Sequence, residues 1–103
     1  MYVGRDFSEV NVGEKIPLTF DFVNDIPEGP TITSVVWACA VATGNDPNAS
    51  DCIIGDPLIE GTKVTQEFYN FKAGVKYLVT ATVTLSDGSK YVLYSHVPCR
   101  EEV

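Results

Sequence analysis

The residues of this chain able to do chemistry are one histidine, three cysteines and fourteen carboxylates. A nucleophile–base pair needs a histidine beside a serine or cysteine, with a third group to orient the ring. His96 has Ser95 next to it, but adjacent residues of a strand point to opposite faces. No glycine-flanked serine elbow occurs elsewhere. His96 therefore reads as an ordinary strand histidine, and no catalytic residue is assigned. Asp46, Asp51 and Asp56, with Asn45 and Asn48, are oxygen ligands of the kind calcium takes. Their spacing does not give ligands at alternate positions closed by a glutamate, and turn formation by Asx side chains explains them equally well. No metal or cofactor is expected. Tyr69, Phe71, Tyr91 and Tyr94 are the raw material of a sugar-binding platform, although aromatic residues in such a chain more often pack across strands.

The elements that must position these groups are strands. Gly74 to Cys99 holds two alternating segments around Ser86-Asp87-Gly88-Ser89, and an Asp-Gly pair in that setting marks a hairpin. The first arm puts Tyr77, Val79, Ala81, Val83 and Leu85 on one face and Thr80, Thr82, Thr84 and Ser86 on the other. Such alternation means one buried and one wet face, hence antiparallel sheet. A strict two-residue turn would pair Val83 with Val92 and Ala81 with Tyr94. Val92 and Tyr94 would then face inward, leaving Tyr91 and Leu93 outward as interface residues. A register shift of one exchanges those roles.

Upstream, Ile16 to Phe22 alternates with Ile16, Leu18, Phe20 and Phe22 on one face, and Pro17 confines this strand to an edge or its first position. Thr31 to Ala42 is the longest strand, with Val35, Trp37, Cys39 and Val41 reading as core. Its other face, Val36, Ala38, Ala40 and Ala42, is small and apolar where a solvated strand would be polar, which suits contact with a partner. Shorter strands are expected near Cys52-Ile53-Ile54 and over Lys63 to Phe68, with turns at Gly55-Asp56-Pro57 and Glu60-Gly61-Thr62. No window carries helical periodicity over ten residues. The class is all-β, a single domain over residues 1–103, with 1–12 an extended N-terminal arm.

Composition bounds the partners. Fourteen acidic against seven basic residues give a formal charge of −7, a balance that suits neither nucleic acid nor anionic membranes. No apolar run approaches the length of a membrane span, and the N-terminus has no basic region followed by an apolar core, so no signal peptide is expected. Cys39, Cys52 and Cys99 are odd in number and lack CxxC spacing, which reads as buried free thiols; a Cys39–Cys52 bridge is the alternative.

Trp37 on a central strand and Ala73-Gly74-Val75-Lys76-Tyr77-Leu78-Val79 resemble the immunoglobulin-like sandwich, in which a tryptophan packs across the sheets and a tyrosine two residues before a core position forms a corner. Tyr77 and Val79 match those places, and Val79 stands where antibody-type domains have a cysteine. This resemblance implies an immunoglobulin-like antiparallel β-sandwich of about seven strands, with Trp37, Tyr77, Val79, Val83, Asp87 and Gly88 defining the fold. From Gly13-Glu14-Lys15-Ile16-Pro17-Leu18-Thr19-Phe20-Asp21-Phe22 through Thr31 to Trp37 and Gly74 to Thr84, the chain also resembles fiber-tail adaptor proteins of bacteriophages. The similarity covers most of residues 13–99. It implies a non-enzymatic structural component of the virion, assembled in the host cytoplasm, binding other tail or fiber proteins and forming a homo-oligomer there. An immunoglobulin-like adhesion or carbohydrate-binding module is the alternative. If the thiols are free, the intact mass of the native protein is that of the reduced chain; a deficit of about 2 Da marks a bridge.

Overall fold

A computed structural model describes residues 10–11 and 13–100; most of the expected arm at 1–12 lies outside the described residues. Seven strands form: β1 (Val10–Asn11), β2 (Ile16–Asp21), β3 (Ile32–Thr43), β4 (Ile53–Glu60), β5 (Lys63–Phe68), β6 (Lys76–Leu85) and β7 (Lys90–Arg100). They divide into a four-stranded sheet ordered β1-β7-β6-β3 and a three-stranded sheet ordered β2-β5-β4. The protein is an all-β sandwich. Its division of β3, β6 and β7 from β2, β5 and β4 is that of the immunoglobulin-like fold. The short β1 runs parallel to β7, with Val10 opposite Cys99.

The core lies between the sheets and follows the period-two pattern. Every second residue of β6, from Tyr77 to Leu85, is buried. Leu18 and Phe20 of β2 face them, together with Phe22, Val64 and Phe68. Trp37 stacks on Phe20 with ring centroids 5.3 Å apart and meets Phe68 edge-on at 5.8 Å. It therefore joins the two sheets where antibody-type domains place tryptophan and disulfide together. Its indole Nε1–H has no hydrogen-bond acceptor among the described residues. Pro17 sits on β2, an edge strand, where its missing donor costs no ladder bond.

Two expectations need correction. The hairpin does not close with a two-residue turn. Leu85 N–H donates to the Ser89 carbonyl at 2.8 Å and Gly88 N–H to the Leu85 carbonyl at 2.9 Å, so the loop is Ser86-Asp87-Gly88. Gly88 has φ 89°, the left-handed conformation that lets a tight turn rejoin the ladder through a bulge. Asp87 accepts a hydrogen bond from Ser89 N–H at 3.0 Å, closing the turn from the side-chain side. Val83 consequently pairs with Tyr91 and Ala81 with Leu93. Tyr91 and Leu93 face the core, while Val92 and Tyr94 face outward, the reverse of the two-residue expectation.

The second correction concerns Gly55-Asp56-Pro57. These residues do not break the chain into a turn but lie within β4, where the register to β5 shifts between Ile54 and Leu58. The shift leaves carbonyls without ladder partners, and a buried glutamine meets them. Gln66 Nε2 donates to the Ile54 carbonyl at 2.6 Å and to the Gly55 carbonyl at 3.1 Å.

Trp37→Ala is expected to cost about 3–5 kcal/mol through the cavity it opens between the sheets. Trp37→Phe should cost clearly less, since it also removes the unpaired N–H. Urea denaturation of the three proteins checks both; equal losses in the two variants would refute the packing account.

Candidate functional site

Two places in the sandwich gather the residues singled out from the sequence. The first is the end where β6 begins. The Tyr77 hydroxyl donates to Asp46 Oδ2 at 2.6 Å and accepts from the Lys72 backbone N–H at 2.7 Å. Asp46 Oδ1 in turn accepts from Asn48 N–H at 3.0 Å. This is the tyrosine corner expected at Tyr77, enlarged by a buried carboxylate that binds the Thr43–Asp51 loop to the approach to β6. Gly44 supports the same approach: a Cβ there would come within 3.2 Å of Val75.

The hydrogen bond from Tyr77 holds the Asp46 carboxyl below the usual carboxylate range, helped by Asn48 N–H and by the Lys72 charge. Burial pushes the Tyr77 phenol up, and the Asp46 carboxylate beside it adds to the rise. Both oxygens of Asp46 are thus engaged in holding loops. Asp51 lines the same polar recess, with Asn48, Asn70 and Lys72, whereas Asp56 lies on β4. No group of three metal-ligating side chains occurs among the described residues. Cys39, Cys52 and Cys99 are buried and unbridged. Burial pushes the Cys39 thiol up to about 12 and Cys52 to about 11, the nearby Asp46 charge adding to both. Such thiols are poor nucleophiles at neutral pH.

The sugar-platform aromatics are dispersed. Phe71 is buried and packs on Phe68 and Tyr77 at centroid distances of 5.8 and 4.5 Å. Tyr91 packs against the core, Tyr69 is exposed, and Tyr94 lies on the outer sheet face. His96 shares that face, where its ring meets Tyr94 edge-on at 6.4 Å. Ser95 is fully buried on the opposite side of β7, so the two adjacent residues form no catalytic pair.

The second place is that outer face of the larger sheet. The registers align cross-strand rows Ser34–Thr84–Lys90, Val36–Thr82–Val92, Ala38–Thr80–Tyr94 and Ala40–Leu78–His96. Val36 is 68% exposed and Val92 41%. The rows contain no carboxylate, although the chain has fourteen acidic residues. Burying the exposed side chains of Val36 and Val92 would be favourable. Of the interface residues expected from sequence, Val36, Ala38 and Ala40 lie here. Val92, Tyr94 and Leu78 take the place of Tyr91 and Leu93. The signal that would have found them is Gly88, whose suitability for a bulge makes the three-residue loop the competing solution.

The two sheets thus define the protein as an all-β sandwich whose larger sheet exposes Val36 and Val92 on its outer face. Neither a model of any known family nor a curated protein sequence matches the chain.

Removing the Tyr77 hydroxyl tests the corner. Tyr77→Phe is expected to lose about 1–3 kcal/mol, because Asp46 and Lys72 N–H each lose a buried partner. Asp46 has its pKa lowered on folding, so its contribution is present above the unfolded carboxylate value of 3.8 and fades as pH falls through that range. The acid limb of stability should therefore flatten in the variant. The thiols act oppositely: their pKa values rise on folding, so stability declines as pH climbs above the unfolded value of 9.0. Denaturation curves across acid and alkaline pH check both signs.

Proposed function

We propose that this protein is a non-enzymatic structural component of a phage virion, connecting or decorating tail or fiber proteins through the outer face of its larger sheet. The observation that carries the contact is the set of aligned rows centred on Val36–Thr82–Val92, which expose Val36 and Val92 among threonines and small residues and hold no carboxylate in a chain of charge −7. Exposed apolar area of this kind is the usual mark of a protein-binding surface. The resemblance over residues 13–99 supplies the kind of partner, another tail or fiber protein. The acidic remainder of the surface favours solubility of free copies before assembly.

The rigidity of the site agrees with a connecting role. Its rows stand on β6, whose opposite face is buried throughout, and on the two strands paired to it. A contact surface built on paired strands is held more precisely than one built on loops.

Mass spectrometry of purified virions tests the placement, and absence of the chain from the particle ends it. Val36→Glu tests the surface. It should leave folding unchanged, since the side chain is exposed, and should reduce incorporation of the chain into particles severalfold. Incorporation at the parent level would remove the outer face from the proposal.

A further inference from the structure

Among the described residues the sheet edges are the two-residue β1 and the longer β2, β3 and β4, and the chain treats the longer three differently. β2 carries Pro17 and Asp21. β4 carries Gly55-Asp56-Pro57 and a register shift. Proline, charge and bulges are the devices that keep a strand edge from pairing with another chain. β3 has none of them between Ser34 and Val41, where its ladder to β6 is regular. It is also the longest strand, and its 12 residues include no charge, proline or glycine.

The free backbone groups of β3 can be identified. Leu85 N–H bonds to the carbonyl of Ser89, the residue before β7, so by alternation Val83, Ala81, Val79 and Tyr77 direct their backbone groups to β7. Thr84, Thr82, Thr80 and Leu78 direct theirs to β3, and their partners Ser34, Val36, Ala38 and Ala40 answer them. That leaves the N–H and C=O groups of Val35, Trp37, Cys39 and Val41 on the far edge. β4 and the short 3-10 turn Ala49–Cys52 run near β3, but β4 forms its ladder with β5 alone and the turn forms none.

We propose that this edge pairs antiparallel with β3 of a second copy about a twofold axis passing at Ala38. Only a register centred there lets all four outward residues pair, Val35 with the partner's Val41 and Trp37 with the partner's Cys39. Ala38 then faces its own counterpart, and Val36 faces the partner's Ala40. A second copy is the occupant because two chains of charge −7 meet with less repulsion along an uncharged element than along an acidic one. β3 is the one long strand of that kind, and self-pairing brings no charge opposite its like. Closed twofold dimers are also the commonest assemblies of identical chains. The result is one continuous sheet, β1-β7-β6-β3 and its twofold mate, with both apolar outer faces on one side. The inference goes beyond the virion reading and stands or falls separately from it.

Sedimentation velocity of the full chain from micromolar to millimolar concentration tests the pairing. The parent should sediment as a dimer, and Ala38→Lys, which sets two lysines face to face across the axis, as a monomer with an unchanged circular dichroism spectrum. Ala38→Cys provides a second readout. At an axial position without direct hydrogen bonds the Cα atoms approach to about 4.5 Å, so mild oxidation should link the copies. Thr19→Cys, on the outer face of the other sheet, should not. A parent that stays monomeric throughout, an Ala38→Lys chain that remains a dimer, or equal cross-linking of the two cysteine variants would each overturn the proposal.

Discussion

β6 is hydrogen-bonded along both edges, to β3 on one side and β7 on the other, and its inward side chains from Tyr77 to Leu85 are almost wholly buried. A strand in that position has no freedom of register. A slip by one residue would bury the threonines at 80, 82 and 84 and expose the apolar set, an exchange no marginally stable domain tolerates. The neighbouring strands therefore align to β6. Trp37 is held opposite Ala81, whose small side chain leaves room for the indole to reach Phe20 and Phe68 in the other sheet. Tyr77, at the first buried position, ties the strand to the loops at Asp46 and Lys72.

The same alignment makes the outer face. With alternate residues of β6 consumed by the core, the intervening threonines and Leu78 must face out, and their partners on β3 and β7 face out beside them. The apolar character of that face comes from β3 and β7 rather than from β6. Polar residues at Val36, Ala38, Ala40 and Val92 would have satisfied the fold equally well, because nothing in the core depends on them.

Much of this was legible in the residues. Alternation named the inward sets of β2, β3 and β6 and the limits of β5 at Lys63 and Phe68, while the corner role of Tyr77 came from the resemblance to the immunoglobulin-like sandwich. The register of β7 was not legible. Asp87-Gly88 suits both a two-residue turn and a three-residue loop with a bulge, and the choice inverts the faces of Tyr91, Val92, Leu93 and Tyr94. The segment at Gly55-Asp56-Pro57 misled for a related reason. Its turn residues accommodate a bulge inside a strand as readily as they end one, and the distant amide of Gln66 meets the carbonyls of Ile54 and Gly55 there.

The sequence by itself determined the all-β class and the buried faces of β2, β3 and β6, because period-two patterning and β-branched residues act locally. The tertiary structure decided which edge is left unblunted, which aromatics face out, and that Asp46 holds loops instead of lining solvent. Those outcomes depend on pairings between residues far apart in the chain, such as Asp46 with Tyr77 and Gln66 with Ile54. Their energies are realised only when both sheets are assembled, so no local pattern carries them.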